Sequence, residues 1–325
     1  QLNLHLNFRP FSEQDISERT QRNLFVLTYF SAEVKTKVLA DLSRILAEEN
    51  VNIELITNLT GHHAHCVELT INTFSVKNIS RLKERIMSAA HELNVDLALQ
   101  TAEAHRKSKR LIIFDMDSTL IDMELIDEMA KRANVVKEVS RITEKAMRGE
   151  MDFEDALTQR VALVKGLTTS ELEGIKQGLT LSEGVEELVA VLKKLGYKLA
   201  VITGGFQLFA AHLKDRLGLD YAFGNQLEIK GTSLTGKIKG EVVDAAQKAK
   251  LLNRIADQEE ILLDQTVAIG DGANDALMLG QAGLGIAYNA REALTRVATG
   301  NIAHSRIKNI LYILGVTESD IDKLI

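Results

Sequence analysis

The stretch that decides the fold reads Leu111-Ile112-Ile113-Phe114-Asp115-Met116-Asp117-Ser118-Thr119-Leu120. An apolar, β-branched run ends abruptly in two carboxylates, Asp115 and Asp117, which are followed by hydroxyl residues. A buried strand that ends in this way delivers acid groups to the sheet edge where open α/β folds bind ligands. The Asp-x-Asp pair alone is weak support, because helix caps and surface turns also contain it.

A second acidic cluster far downstream strengthens this prediction. Gly270-Asp271-Gly272-Ala273-Asn274-Asp275 follows another apolar run, from Thr266 to Ile269. If the aspartates were mere caps or surface acids, three of them would lie at strand ends by coincidence. Two acid clusters at strand ends in one chain predict a Mg²⁺ site, since carboxylate oxygens are ligands that this ion prefers.

The composition limits the classes of function. At 325 residues the chain is long enough for two domains, and its 45% apolar and 26% charged residues are those of an ordinary globular protein. A net charge of −6 gives no reason to expect a nucleic acid or an anionic membrane as a partner. The single cysteine, Cys66, excludes an intrachain disulfide and favours a reducing compartment, so we expect a cytoplasmic protein. The chain also lacks an apolar run of the roughly 20 residues that cross a bilayer.

Residues 1–104 are predicted to form an α+β regulatory or dimerisation domain. The pattern over residues 23–103 predicts strand, helix, strand, strand, helix, strand. This βαββαβ order, together with Val51-Asn52-Ile53, resembles the ACT-like modules that bind small amino acids or dimerise. The turn Phe30-Ser31-Ala32-Glu33 departs from that pattern, because it lacks the glycine that usually lets backbone amides approach a ligand. Amino-acid binding by this domain is therefore left open.

Residues 105–325 are predicted to form a second, α/β domain with a doubly wound parallel sheet, since short apolar runs alternate there with helical patterns. The charged stretch His105-Arg106-Lys107-Ser108-Lys109-Arg110 at its start is interpreted as a solvated linker. The amphipathic helical span between the first two strands of this domain is too long for a crossover. We therefore predict an inserted helical cap over the strand ends, at about residues 126–185.

Phosphoryl transfer would suit these carboxylates. The reaction needs an in-line nucleophile, an acid for the leaving group and neutralisation of the phosphoryl oxygens. Asp115 is well placed to attack and form an aspartyl-phosphate, and Asp117 to protonate the leaving alkoxide and then deprotonate water. The carboxylates of Asp115 and Asp271, with the Asp117 carbonyl, make a hard-oxygen set for Mg²⁺ that Asp275 would hold in place.

Two further features have weaker signals. Ile202-Thr203-Gly204-Gly205-Phe206 follows the second strand of this domain and opens a helix, which suits phosphate but is also an ordinary strand-to-helix turn. Lys248 is by itself a typical exposed lysine of a helix. Only the need for a cation beside the phosphoryl group favours a role for it.

Four segments occur in the order of the four motifs of the haloacid-dehalogenase-like phosphatases. They are Phe114-Asp115-Met116-Asp117-Ser118-Thr119-Leu120, Thr203-Gly204-Gly205-Phe206, Lys248, and Gly270-Asp271-Gly272-Ala273-Asn274-Asp275. Within that superfamily the chain resembles the phosphoserine phosphatases from about Leu111 to near the C-terminus. The specific stretch is Ala146-Met147-Arg148-Gly149-Glu150-Met151-Asp152-Phe153, followed by Arg160-Val161.

The resemblance implies a role for each matching residue. Asp115 would be the nucleophile and Asp117 the general acid/base, and Mg²⁺ would be held by Asp115, the Asp117 carbonyl and Asp271. The phosphate would be bound by Ser118, Thr203, Gly204, Lys248 and Asn274. Thr203 stands where serine is usual in the family, which keeps the hydroxyl and adds a methyl group.

The resemblance also implies a substrate. Glu124 would pair with the ammonium of serine and Arg160 with its carboxylate, which the planar guanidinium matches bidentately. Met147 and Phe153 would line an apolar wall. The implied reaction is Mg²⁺-dependent hydrolysis of O-phospho-L-serine to L-serine and phosphate, the last step of serine biosynthesis. L-Serine is a candidate inhibitor, and a homodimer is a candidate assembly.

Two alternatives stay open at this point. One is a related phosphatase or phosphotransferase that uses another small acceptor, such as homoserine. The other is an amino-acid-sensing regulatory protein whose phosphatase-like domain is vestigial. The complete set of nucleophile, acid and metal ligands argues against the second.

Overall fold

The computed structural model describes residues 23–30, 36–60, 66–102, 104–290 and 292–325. Residues 31–33 of the turn after the first strand lie outside these ranges. So does Gly61-His62-His63, which the strand-like patterns on either side of it predict to be a turn. Within the described ranges, the helices are too short or too polar to span a membrane.

The N-terminal part has the predicted βαββαβ order. Its elements are β1 (Leu24–Phe30), α1 (Thr36–Glu48), β2 (Asn52–Asn58), β3 (Cys66–Asn72), α2 (Ile79–Leu93) and β4 (Asp96–Thr101). The strands pair antiparallel in the order β2-β3-β1-β4. Apolar residues of both helices, such as Leu42 and Ile86, pack with Leu27 and Leu69 of the strands into one buried cluster. Whether this part binds or dimerises as ACT-like modules do stays a prediction.

The C-terminal part is built on a mainly parallel sheet. Its strands are β5 (Leu111–Phe114), β6 (Lys198–Phe206), β7 (Tyr221–Lys230), β8 (Ser233–Lys239), β9 (Thr266–Gly270), β10 (Leu284–Tyr288) and β11 (Gly300–Ile302). The central strand β5 lies between β6 and β9 and is parallel to both, whereas β8 is added antiparallel beside β7. Its side chains alternate between two buried clusters, with Ile112 and Phe114 in one and Leu111 and Ile113 in the other. The prediction of an α/β fold with a doubly wound sheet is confirmed.

Helices fill the connection between β5 and β6. They are α3 (Leu125–Ala133), α4 (Val136–Met147), α5 (Phe153–Leu163), α6 (Thr169–Gln177) and α7 (Val185–Lys194). Polar caps begin two of them: the Asp152 side chain accepts from the Asp155 amide, and Thr168 and Glu171 form a capping box. The later helices are α8 (Gln207–Leu217), α9 (Ala245–Gln258), α10 (Ala276–Gln281), α11 (Glu292–Thr295), α12 (Ile310–Ile313) and α13 (Glu318–Leu324).

The sheets of the two parts are continuous. Strand β4 pairs antiparallel with β11, so that Ala98 lies opposite Gly300, and the described strands form a sheet of eleven. At this junction Asp96, only 1% exposed, accepts hydrogen bonds from the amides of Ala303 at 2.7 Å and His304 at 2.9 Å. The Ser305 hydroxyl donates a third, at 2.5 Å. The N-terminal part is therefore joined to the C-terminal part by backbone pairing as well as by side chains.

The interpretation of residues 105–110 as a solvated linker is wrong. Arg106 is 6% exposed and forms an ion pair with Glu68 of β3, and Lys109 is 7% exposed and donates to the carbonyl of Asp264. Buried cations need such partners, because an unpaired charge is costly away from water. The partners lie 38 and 155 residues away along the chain, so local composition could not reveal them.

Candidate active site

Asp115 directly follows β5 and is 4% exposed. Its amide donates to the carbonyl of Ile269 at 2.8 Å, which fixes it beside the end of β9. Its Oδ1 accepts from the amide of Met116 at 2.8 Å and from Nζ of Lys248 at 2.8 Å. The backbone and the lysine together hold this carboxylate in one orientation.

Three carboxylates meet at this edge of the sheet. One oxygen each of Asp115, Asp271 and Asp275 lies within 4.8 Å of the others, a grouping that could hold a metal ion. Burial, and then repulsion from Asp115, raise the pKa of Asp271 to about 7. Crowded, partly buried carboxylates of this kind fit a hard divalent cation, whose charge would relieve their repulsion.

Lys248 is completely buried in the first turn of α9. Its ammonium lies 2.8 Å from Asp115 Oδ1 and 2.7 Å from Asp275 Oδ1. Burial lowers its pKa, but the two carboxylates outweigh burial and hold the pKa above its usual value. The second oxygen of Asp275 accepts from the amide of Gly272 at 3.1 Å, so Asp275 ties the lysine to the loop after β9.

Asp117 lies in an environment that favours a protonated carboxyl. Its Oδ1 accepts from the amide of Leu125 at 3.0 Å, and its Oδ2 lies 3.4 Å from the hydroxyl of Thr203. Burial, then the carboxylates of Glu124 and Asp115, raise its pKa well above the usual value. A carboxyl that keeps its proton near neutral pH is what general acid catalysis requires.

Gly205 is a residue of the site that the sequence prediction missed. A Cβ there would lie 2.6 Å from Asp117 Oδ2 and 3.0 Å from the Thr203 hydroxyl, so a side chain would displace one of them. Its amide donates to the Thr203 hydroxyl at 2.8 Å. The sequence did contain a sign of its role, because Gly205 directly follows Gly204 and paired glycines often mark a place where other groups approach the backbone closely.

Ser118 and Glu124 are in contact. The Ser118 hydroxyl donates to Glu124 Oε1 at 2.9 Å, and Ser118 has a left-handed backbone with φ 55°. A residue other than glycine in that region costs of order 1–3 kcal/mol, and such strain is typical of functional sites. Burial raises the pKa of Glu124, which occupies the N-cap position of α3.

Arg160 of α5 is affected by the charges of several of these carboxylates. Burial lowers its pKa, while the carboxylates of Glu124, Asp127 and Asp117 act in the opposite direction. Its Nε donates to the carbonyl of Ala156 at 3.2 Å. Arg160, which was predicted to bind the substrate carboxylate, thus lies near Glu124, which was predicted to bind the ammonium.

The structure brings Phe153 to the end of β6 but leaves Met147 outside. A Cβ on Gly204 would lie 2.9 Å from Cζ of Phe153 and 3.5 Å from Nδ2 of Asn274. The first turn of α5 therefore touches the last residues of β6, close to the loop after β9. Met147, at the end of α4, is 54% exposed and is not enclosed by the site.

Comparison with known proteins agrees with this architecture. The family model of the haloacid dehalogenase-like hydrolases matches residues 109–283, more than half of the chain. A phosphoserine phosphatase of Archaeoglobus fulgidus is 41% identical over 97% of this chain and 90% of its own length.

Solved structures give the same relationship. A probable phosphoserine phosphatase from Vibrio cholerae superposes with a TM-score of 0.70 at 32% identity, over 93% of this chain and 89% of that one. A substrate-bound phosphoserine phosphatase complex is 44% identical with a TM-score of 0.60, over 63% of this chain but 97% of its own. The chain belongs to the haloacid dehalogenase-like hydrolases and, within them, to the phosphoserine phosphatase family.

Proposed function

We propose that this chain hydrolyses O-phospho-L-serine to L-serine and phosphate in the presence of Mg²⁺. The observation that carries the proposal is the environment of Asp115. Its carboxylate is held by a buried lysine inside a group of three carboxylates, and a carboxyl with a raised pKa follows two residues later. Three proteins named phosphoserine phosphatase are 36–41% identical to this chain over more than 90% of its length.

The chemistry then takes two steps. In the first, a carboxylate oxygen of Asp115 attacks phosphorus, the bond to the serine oxygen breaks, and protonated Asp117 gives its proton to the leaving alkoxide. In the second, ionised Asp117 takes a proton from water as that water attacks the aspartyl-phosphate. Phosphate then leaves and Asp115 is regenerated.

The acidic group fits a magnesium ion. Asp115 and Asp271 would hold it through carboxylates and Asp117 through its carbonyl, and the bound ion would neutralise charge on the phosphoryl oxygens. Asp275 acts differently: its contacts are with Lys248 and the Gly272 amide, so it keeps the lysine and the loop in place.

Recognition of the substrate divides between its two ends. We assign the phosphate to Ser118, Thr203, Gly204, Lys248 and Asn274. Thr203 and Gly204 belong to the segment 203–205 at the end of β6, which is called the phosphate loop below. We assign the ammonium to Glu124 and the carboxylate to Arg160. Phe153 excludes water at the phosphate loop, and Met147 would need to move inward to contribute an apolar wall.

The test is phosphate release from phosphoserine, phosphothreonine and phosphohomoserine, with Mg²⁺ and with a chelator. We expect strong preference for phosphoserine that the chelator abolishes, and no turnover by the Asp115→Asn variant. Equal activity across the panel would retain the catalytic groups but remove the substrate assignment. Near wild-type turnover by Asp115→Asn would remove the mechanism.

Three further proposals concern the partners and location of the enzyme. L-Serine inhibits as a product that occupies the Glu124 and Arg160 end of the site, the chain forms a homodimer, and it acts in the cytoplasm. The first is tested by L-serine inhibition of an Arg160 variant, in which inhibition should weaken together with substrate binding. The second is tested by the mass of the protein in solution.

A further inference from the structure

Asn225 of β7 is a completely buried polar residue that lies outside the four segments quoted above as family motifs. Its Nδ2 donates to the carbonyl of Gly204 at 2.8 Å, and its Oδ1 accepts from the amide of Val243 at 2.8 Å. Asparagine is depleted in strands, and a buried amide is costly unless it is hydrogen-bonded. Here both ends of the side chain are used, and they join two segments that are remote from each other along the chain.

The donor end of Asn225 sets the orientation of the phosphate loop. In a trans peptide the carbonyl and the amide point in opposite directions. With the Gly204 carbonyl held by Asn225, the Gly205 amide points the other way and donates to the Thr203 hydroxyl at 2.8 Å. Because that hydroxyl oxygen already accepts from the amide, its proton is directed to Asp117 Oδ2, 3.4 Å away.

The acceptor end of Asn225 sets the start of α9. Val243 immediately precedes Asp244, the N-cap residue, whose side chain accepts from the amide of Gln247 at 2.8 Å. The Asp244 carbonyl accepts from the amide of Lys248 at 2.9 Å, so the lysine lies one helical turn after Asp244, the residue that follows Val243.

We propose that Asn225 is a positioning residue for phosphoryl transfer. Through Gly204 it orients the hydroxyl that faces the general acid, and through Val243 it locates the helix that carries the lysine beside the nucleophile. It touches neither substrate nor reacting atoms. The inference rests on the proposed phosphatase activity. It states that the buried side-chain amide of Asn225 fixes the distance between the end of β6 and the start of α9.

The Asn225→Asp variant separates the two ends of the side chain. The carboxylate still accepts from Val243, but its other oxygen faces the Gly204 carbonyl without a proton to donate. Because the Gly204 carbonyl then lacks its donor and the segment 203–205 loses its fixed orientation, we expect the Kd of inorganic phosphate, measured by calorimetry with Mg²⁺, to rise about tenfold. The KM for phosphoserine should rise with it and kcat should fall.

Asn253→Asp is the matched control. Asn253 is a partly buried asparagine of α9 whose Nδ2 bonds Gln281 at 3.2 Å, away from the phosphate loop, so its variant should keep the wild-type phosphate affinity. A merely structural loss would reduce the active fraction and kcat but would leave the phosphate Kd of the folded fraction unchanged. Asn225→Ser, which is smaller and uncharged, should show the same change in phosphate Kd if the aspartate variant does not fold.

A folded Asn225→Asp or Asn225→Ser variant with phosphate Kd and KM within twofold of wild type would overturn the inference. Failure of the proposed function is distinguishable from that result. Wild-type protein that binds inorganic phosphate with Mg²⁺ but does not hydrolyse phosphoserine would remove the substrate assignment. The comparison of phosphate affinity between the variants would still decide the role of Asn225.

Discussion

The ammonium of Lys248 lies 2.8 Å from a carboxylate oxygen of Asp115, and the lysine side chain is completely buried. The same ammonium lies 2.7 Å from Asp275, so one cation is shared by two carboxylates. The group of three carboxylates around this one cation carries an excess of negative charge that a metal ion could balance. Because its cation is buried between two carboxylates, the lysine also matters for stability.

Lys248→Met should abolish turnover and lower the free energy of unfolding. The methionine keeps much of the apolar stem but leaves the two carboxylates without their cation, and breaking a buried ion pair on one side typically costs about 3–5 kcal/mol. Urea denaturation in the presence of a chelator measures the effect. Lys250→Met, at an exposed position of the same helix, is the control and should change stability by less than about 0.5 kcal/mol. Equal stability of the two variants would contradict the assignment.

The effect of Mg²⁺ on thermal stability should depend on pH. Asp271 has a pKa raised from 3.8 to about 7, so the folded protein binds this proton more tightly than the unfolded chain does. Its contribution therefore favours the metal-free fold at low pH, and it is lost as pH rises from about 4 through 7. Mg²⁺ needs the ionised carboxylate, so the increase in Tm on adding the ion should be larger at pH 8 than at pH 6. In Asp271→Asn the increase should be small at both values, whereas an equal increase in the wild type at pH 6 and 8 would count against this site.

Gly205→Ala should reduce kcat without unfolding the protein. Its Cβ would lie 2.6 Å from Asp117 Oδ2, so the carboxyl or the loop must shift by a large fraction of an ångström. Misplacement on that scale costs about 10²-fold in rate. Steady-state kinetics and a thermal melt measure the two effects separately. Gly280→Ala is the control, because its Cβ meets only Val297 at an ordinary 3.5 Å.

Arg160→Lys should weaken selection for the carboxylate of the substrate. A lysine keeps the charge but loses the planar fork, which we expect to lower kcat/KM for phosphoserine by roughly 10- to 100-fold. Phosphoethanolamine has the ammonium but no carboxylate, so its kcat/KM should change little. Arg141→Lys, an exposed position of the same cap, controls for the substitution itself. A parallel loss on both substrates would place Arg160 outside carboxylate recognition.

Asp96→Ala should destabilise the junction between the two parts of the chain. It removes a buried carboxylate that accepts two amides and a hydroxyl, at a cost of about 2–4 kcal/mol. Chemical denaturation measures this cost, with the exposed Asp322→Ala as control. A change no larger than that of the control would show that the junction rests on the strand pairing alone.

The sequence alone was sufficient to predict the features that depend on neighbouring residues in the chain. The apolar run before Asp115 predicts both a strand and its functional end, because a strand buried on both faces reads as a continuous apolar run. The residues proposed for catalysis could be named from the sequence as well, since each lies at the end of a predicted strand or in a family motif. Their roles stay predictions, whereas the strand that carries Asp115 is confirmed.

Long-range features could not be read in this way. Strand β11 has three residues, too few to show a periodicity, and one of its two partner strands, β4, lies about 200 residues earlier in the chain. Lys248 has the sequence context of an exposed lysine, and only its two carboxylate partners explain its burial. Asn225 could have been noticed only as an asparagine, a poor strand former, among strand residues. Its role depends on the distant segments that it joins, which the sequence does not show.

The shared sheet limits how the N-terminal part could communicate with the catalytic centre. Because β4 and β11 exchange backbone hydrogen bonds, the two parts cannot rotate apart on a flexible hinge without breaking that ladder. A one-residue slip of β4 would turn every one of its side chains to the opposite face, so sliding is equally restricted. A ligand that binds the N-terminal part would therefore have to affect the catalytic centre through this shared sheet, in which β11, β10 and β9 separate β4 from β5.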